Sequence, residues 1–169
     1  RYLDLLTDAL LVRQLAPWHA NIAKRQVKAP KIYYRDAGLA HHLLGIDTAE
    51  SLARHPKSGA TWEGMVIEEV LRIVRPPEAY FWATHGGAQL DLLLALPGRS
   101  VGVEVKRTDA PSMTPSIRSA LVDLELHHIV VIYPGSRTYR LHDRVSVVPA
   151  AALSDPAAAR ETILGGEPN

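Results

Sequence analysis

The sequence predicts a mixed α/β domain in which a mixed sheet is flanked by helices. Between Thr61 and Tyr133, a strong helical pattern is followed by three strand-like segments, a second helical pattern and a buried strand. Strands joined by short turns favour an antiparallel meander, and a helix between two strands favours a parallel crossover. Both strand directions should therefore occur in one sheet.

Residues 1–35 form a separate basic segment. It opens with leucines near helical spacing, and Pro17 and Pro30 then interrupt any helix within a stretch that is typical of extended or hairpin structure. A helix followed by a basic two-stranded ribbon is typical of the end of a winged-helix module, so we expect a partial winged-helix-like segment here. Because the chain starts without Met and already inside this pattern, we also expect it to be a fragment of a longer protein.

Residues 36–57 are expected to form a helical linker of two short helices, which begin after the capping residues Asp36 and Thr48. The strongest helical pattern, TWEGMVIEEVLRIV, comes next and ends at a Pro-Pro pair. On its polar side, Glu68 and Arg72 are spaced for an i, i+4 ion pair.

Residues 58–150 are expected to contain the sheet. AYFWAT is predicted as a strand from its aromatic side chains, HGG as a turn, and QLDLLLALPGRSVGVEVKR as two strands around Pro97-Gly98. TPSIRSALVDLEL is predicted as a helix, HHIVVIYPG as a buried strand, and TYRLHDRVSVVP as one or two short edge strands. Residues 151–169 are predicted to form a C-terminal helix and tail.

Two acidic residues interrupt the apolar strands of the hairpin. Any even-length loop centred on Pro97-Gly98 pairs Asp91 with Glu104 on one face and pairs apolar side chains on the other. An odd-length loop would place the carboxylates in the apolar face, so the sequence selects the even register. Since Pro-Gly prefers a type II turn over the primed types, we expect a four-residue loop rather than a two-residue one.

Paired carboxylates at this separation suit a divalent cation. Their Cβ atoms would lie roughly 5 Å apart, where like charges destabilise a sheet unless a cation lies between them. Mg²⁺ binds through a few carboxylates and keeps its waters, and Lys106 on the same face could orient or deprotonate a water or stabilise charge on a phosphate. The alternative is a diagonal salt bridge between Asp91 and Lys106 on a solvent-facing surface. Glu63, on one flank of the preceding helix, points either towards Asp91 and Glu104 or into solvent.

Glu63 in a helix, Asp91 at a strand start and EVK at 104–106 together resemble the PD-(D/E)xK nuclease superfamily. That resemblance implies a restriction-endonuclease-like core and metal-dependent phosphodiester hydrolysis. It also implies that Asp91 and Glu104 are metal ligands, that Lys106 is the catalytic lysine, and that Glu63 is a helix acid that completes or supports the site. Gln89 would be a flanking polar group.

Longer segments resemble a domain of unknown function found at the C-terminus of bacterial and archaeal AAA-type ATPases; among them are YLDLLTDALLVRQLAPWHAN, KAPKIYYRDAGLAHHLLGI, WEGMVIEEVL and YFWATHGGAQLDLLL. In that family a P-loop ATPase domain precedes winged-helix elements and the PD-(D/E)xK-like domain. The resemblance therefore implies an N-terminal ATPase domain of the same polypeptide as a partner. Gln89 replaces the family's usual acidic residue. Because the chain has no G-x-x-x-x-G-K-[ST] motif, ATP would bind only through that other domain.

Charge is distributed unevenly along the chain. The net charge is +1, but residues 1–35 carry 7 Lys and Arg against 2 Asp. Such a segment favours an anionic partner, so we expect Lys24, Arg25 and Lys28 to contact DNA phosphates; a solvated basic face is the alternative. The absence of cysteine excludes disulfides and thiolate metal sites. No apolar run is long enough to span a bilayer, so we expect a cytoplasmic protein without membrane contact.

These observations lead us to expect cleavage of DNA that depends on Mg²⁺ or Mn²⁺. The first alternative is a non-catalytic module that positions the ATPase on DNA or on a protein partner. The second is an oligomerisation or regulatory domain that makes no contact with nucleic acid and that could form a homo-oligomer.

Overall fold

The computed structural model describes residues 2–18 and 29–165, and within these ranges the strands form one two-stranded and one six-stranded sheet. The helices are α1 (Tyr2–Asp8), α2 (Ala37–Leu43), α3 (Ala49–Arg54), α4 (Ser58–Val74), α5 (Pro115–Asp123) and α6 (Pro156–Ile163), with a 3-10 helix at Ala150–Ser154. The strands are β1 (Val12–Leu15), β2 (Lys31–Tyr34), β3 (Glu78–Ala83), β4 (Gln89–Leu96), β5 (Arg99–Val105), β6 (His128–Tyr133), β7 (Tyr139–His142) and β8 (Val145–Pro149).

The six-stranded sheet has the order β3-β4-β5-β6-β8-β7. Strands β3, β4 and β5 are antiparallel neighbours, whereas β6 lies parallel to both β5 and β8. Helix α5 connects β5 to β6, as the sequence predicts, and the predicted mixed sheet with flanking helices is confirmed. The prediction of an edge position was wrong for β8, which lies between β6 and β7 with all five residues buried. Its VSVV run lacks the alternation of a half-exposed strand and is typical of an interior one.

Apolar side chains pack against both faces of this sheet. Helices α4 and α6 cover one face and α5 covers the other, so that each face has its own core. The core under α4 and α6 includes Val66, Ile67, Val70, Leu92, Leu94, Val101, Val103, Val130, Ile132 and Ile163. The core under α5 includes Trp82, Leu90, Leu93, Ile117, Leu121, Leu126, Ile129, Val131 and Val147.

The hairpin between β4 and β5 has the predicted even register. Cα partners run from Leu92 and Val103 to Leu96 and Arg99. Only Pro97-Gly98 lies between the last pair, so the prediction of a four-residue loop was wrong. Gly98 has a φ of 76°, the positive value that the second central residue of a type II turn needs and that glycine adopts without steric cost.

Strands β1 and β2 form an antiparallel pair, which we call the ribbon, and this confirms the expected pairing of two strands in residues 1–35. The ribbon packs on the main body because Leu15 and Tyr33 are buried in the core under α4. The residues that follow β1 then run along the outer edge of β3. Phe81 donates its N–H to the carbonyl of Ala16 at 2.9 Å, and Trp18 donates its N–H to the carbonyl of Phe81.

Helices α2 and α3 begin where the sequence places their caps. The side chain of Asp36 accepts the N–H of Leu39 at the start of α2, and Thr48 caps α3. On α4, however, the predicted pair of Glu68 with Arg72 was wrong, since Arg72 binds Glu69. No helix in the described ranges, 2–18 and 29–165, is both long and apolar enough to cross a membrane.

Candidate functional site

Asp91 lies at an irregularity in the pairing of β3 with β4. The pairing passes from Tyr80 and Leu93 to Trp82 and Leu90. Two residues of β4, Asp91 and Leu92, therefore lie opposite one residue of β3, which defines a β-bulge. Bulges re-aim side chains and are frequent next to active sites.

The carboxylate of Asp91 replaces a backbone acceptor at the end of the hairpin. The ladder between β4 and β5 ends at the pair Leu92 and Val103. Beyond it, Lys106 donates its N–H to the carbonyl of Ile132 on β6 at 2.9 Å. Because successive N–H groups of a strand alternate in direction, the N–H of Val105 points towards β4, where Asp91 Oδ2 accepts it at 3.0 Å. This bond holds Asp91 next to Glu104.

Glu104 is the most deeply buried charged group of the site. Its residue is 1% exposed, Lys106 Nζ donates to its Oε1, and its Oε2 has no hydrogen-bond partner among the described residues. Burial raises the pKa of Glu104 to about 7, and the negative charge of Asp91 adds to this, while Lys106 and the backbone N–H of Asp91 oppose it. Burial also raises the pKa of Asp91, and the charge of Glu63 adds to this while Lys31 opposes it. Two desolvated carboxylates thus lie side by side.

Glu63 of α4 joins the site through the ribbon. Lys31 Nζ lies 2.9 Å from Glu63 Oε1 and 3.2 Å from Asp91 Oδ1, so one ammonium group bridges the two acids. The hydroxyl of Tyr33 donates to the same Glu63 oxygen. Burial lowers the pKa of Lys31, but the neighbouring Asp91 and Glu63 carboxylates outweigh it and the pKa is raised overall. Burial and the hydrogen bond to Glu63 raise the pKa of Tyr33, so both side chains stay protonated.

The structure brings four of the sequence-predicted site residues together. Asp91 binds the N–H of Val105 and interacts with the neighbouring Glu104, Lys106 contacts Glu104, and Glu63 reaches Asp91 through Lys31. The alternative salt bridge between Asp91 and Lys106 is not formed, since each of these residues pairs with another partner. The predicted DNA contacts Lys24, Arg25 and Lys28 lie outside the described residues.

Two further site residues, Lys31 and Tyr33, were not predicted from the sequence. They stand two positions apart in KIYY, so that strand alternation places both on one face of β2. This alternation shows that the two side chains share a face of β2, but it does not show which part of the protein that face contacts.

Two carboxylates of the site, Asp91 and Glu104, could hold a divalent cation that keeps most of its waters. Among the described residues, no group of three or more His, Asp or Glu side chains is placed to hold a metal ion. Asp91 and Glu104 alone offer oxygen ligands side by side, and the free Oε2 of Glu104 is a buried acceptor without a donor. Mg²⁺ is commonly bound through one or two carboxylates with retained waters. The donor set suits Mg²⁺ or Mn²⁺ better than a fully dehydrated ion.

Comparison with known proteins identifies the family but not a reaction. Residues 1–50 match a family described as a domain of unknown function (DUF8612). The uncharacterized proteins Rv2008c of Mycobacterium tuberculosis and Mb2031c of Mycobacterium bovis are each 55% identical to the chain over 150 residues. These alignments cover 89% of this chain and 34% of each relative, so the chain spans about a third of their length. No solved structure matches it significantly. Residues 58–153, more than half of the chain, match the model for the domain of unknown function DUF4143, and the chain belongs to that family.

Proposed function

We propose that this domain is a nuclease-like module that hydrolyses phosphodiester bonds of DNA with Mg²⁺ or Mn²⁺. The observation that carries the proposal is the unpaired Oε2 of Glu104, buried beside the carboxylate of Asp91. A buried acceptor without a donor costs free energy, and a buried carboxylate costs more. A divalent cation held by Asp91 and Glu104 would offset both costs, which supports a site built for an ion.

The residues around this pair have the chemistry that hydrolysis requires. A bound divalent ion would polarise the phosphate and lower the pKa of a coordinated water. Lys106, whose side chain is 33% exposed and pairs with Glu104, would orient the attacking water or stabilise charge on the phosphate. The water oxygen forms the new bond to phosphorus, the bridging P–O bond breaks, and the departing oxygen takes up a proton. Glu63 supports Asp91 through the shared Lys31.

Metal binding and cleavage test this proposal together. We expect calorimetric titration with Mg²⁺ or Mn²⁺ to detect binding that Asp91→Asn abolishes and that Asp109→Asn, at an exposed residue beyond β5, leaves intact. We expect Lys106→Met to bind the ion but to lose cleavage of linear and branched DNA. Equal ion binding by the wild type and Asp91→Asn would contradict the proposed ligands, and equal cleavage by all variants would indicate a contaminating nuclease.

A non-catalytic DNA-binding module is the second candidate, and the charge balance of the site favours it. Lys31 and Lys106 already pair with the three acids, so much of the negative charge is neutralised without a metal. This candidate expects binding of DNA that persists in EDTA and weakens steeply with salt, because phosphate contacts release counterions. The nuclease proposal expects loss of turnover in EDTA.

We also propose that a cytoplasmic ATPase domain of the same polypeptide is the partner of this module. The relatives are about three times as long as the region they share with this chain, which leaves room for such a domain. ATP would act only through that part of the protein. ATP turnover that responds to DNA in the longer protein would support this arrangement.

A further inference from the structure

Lys31 occupies a site built for a cation. Its Nζ lies between Glu63 Oε1 at 2.9 Å and Asp91 Oδ1 at 3.2 Å. The ring of Phe81, a buried residue of β3, lies 5.6 Å from the same Nζ, within the range of a cation–π contact. Two carboxylates and an aromatic face therefore surround a single positive charge.

This arrangement divides the acidic site into two halves that share Asp91. On one side, Asp91 and Glu63 are bridged by Lys31. On the other side, Asp91 lies beside Glu104, where Oε2 of Glu104 has no partner among the described residues. The first half is filled by an ammonium group, and the second half has a free oxygen.

The ribbon holds Lys31 in place through contacts on the same face of β2. Tyr33, two residues along, is buried and donates its hydroxyl to Glu63. It packs so closely on α4 that a Cβ at Gly64 would lie 3.1 Å from its ring. A metal ion between Glu63 and Asp91 would have to displace a lysine whose strand is fixed by this packing.

We propose that Lys31 takes the place of a second divalent ion and limits the site to one ion, held between Asp91 and Glu104. This inference rests on the proposed function, since it assumes that the second half of the site binds an ion. Lys31 is then a positioning residue that neutralises Glu63 and Asp91 without metal. Its ammonium charge and its hydrogen-bond donors supply what the second ion would supply.

The number of Mn²⁺ ions bound per chain tests the inference without reference to activity. We expect calorimetry and electron paramagnetic resonance to give one Mn²⁺ for the wild type, two for Lys31→Met, and one for Lys31→Arg, which restores the charge. Lys57→Met, which removes an exposed lysine outside this network, should also bind one. Adding Glu63→Gln to Lys31→Met should reduce the count to one again. Thermal unfolding of each variant establishes that it is folded, and Lys31→Gln replaces Lys31→Met if that variant is not.

The outcomes separate this inference from the proposed function. One ion in both the wild type and Lys31→Met would overturn the role of Lys31 and leave the Asp91–Glu104 site standing. No ion in the wild type and one in Lys31→Met would support the role of Lys31 and overturn that site. No ion in either protein would overturn both.

Discussion

At the scale of one residue, the buried carboxylate of Glu104 lowers the stability of the folded chain. Its carboxylate is almost fully buried, beside a second carboxylate and with one oxygen unpaired in the described part of the chain. Burial without full pairing disfavours the charged form, which is the reason for its raised pKa. A protein that needed Glu104 only for packing would be more stable with an uncharged side chain there.

Replacing Glu104 by Gln should therefore stabilise the metal-free protein. The pKa of Glu104 is about 7 in the folded chain, against an ordinary value of 4.5. As the pH rises from about 4.5 to about 7, Glu104 loses its proton in the unfolded chain before it does in the folded chain, so the free energy of unfolding falls over this range. We expect Glu104→Gln to raise the free energy of unfolding by on the order of 2 kcal/mol near pH ~8 and by little near pH ~5. Urea unfolding in EDTA at both pH values measures this. A variant less stable than the wild type near pH ~8 would contradict it.

His128 is a second buried titratable residue, and its pH dependence has the opposite sign. It lies at the start of β6 and is 9% exposed, and its Nε2 shares a hydrogen bond of 2.7 Å with the Ser146 hydroxyl on β8. Burial lowers the pKa of His128 to about 4, and the positive charges of His127 and Arg140 contribute. The folded chain therefore holds His128 in its neutral form.

Acidification should weaken the fold through His128. Because its pKa is about 4 in the folded chain against an ordinary 6.5, the unfolded chain binds the extra proton first, and stability falls as the pH drops from about 6.5 to about 4. We expect the free energy of unfolding of His128→Gln to fall less steeply over this window than that of the wild type. Urea unfolding at several pH values in the window gives both slopes, and parallel curves would count against the assignment.

At the scale of elements, the ribbon docks on α4 through two glutamates. Glu63 accepts from Lys31 and Tyr33 near the site, as described above. Further along the helix, Glu68 accepts from Arg13 of β1 and from Arg35 just after β2, with its side chain 13% exposed. Partly buried charge pairs are costly to break from one side, because the other charge stays desolvated.

Glu68 and Glu69 offer a matched comparison on the same helix. Glu68→Gln should loosen the ribbon by about 1–3 kcal/mol, because two arginines lose the negative charge that they share and one of its two acceptor oxygens becomes a donor. Glu69→Gln should change stability by less than about 0.5 kcal/mol, because its pair with Arg72 is exposed to solvent. Hydrogen exchange of β1 and β2 measures both effects. Equal exchange in the two variants would show that the ion pairs of Glu68 do not help to hold the ribbon.

The order and register of the elements could be predicted where a local pattern decides them. Alternation in β4 and β5 selects one register, since a slip by one residue would place carboxylates in an apolar face. The bulge at Asp91 has no such signal, because it depends on how β4 pairs with β3. The interior position of β8 did have a local signal, because four successive residues, VSVV, are all buried and do not alternate as a half-exposed strand would.

At the scale of the whole molecule, some residues of the site are close in sequence and others are brought together only by the packing of distant elements. Asp91, Glu104 and Lys106 belong to one hairpin, so their proximity could be predicted from the sequence. Lys31 comes from the ribbon, 32 residues before Glu63 and 60 before Asp91, and meets them only because the ribbon packs on α4. No pattern within KIYY identifies that partner surface.

The segment that follows β1 has a consequence for how the chain can be divided. Ala16 and Trp18 bond to Phe81 along the outer edge of β3, and an uncovered strand edge is a template for pairing with other chains. The region by which the family is recognised begins at Ser58, beyond both this segment and the ribbon. A chain cut there would leave that edge open and uncover the apolar surface beneath Leu15 and Tyr33. We therefore expect the smallest piece that resists aggregation to be longer than the region that the family model matches.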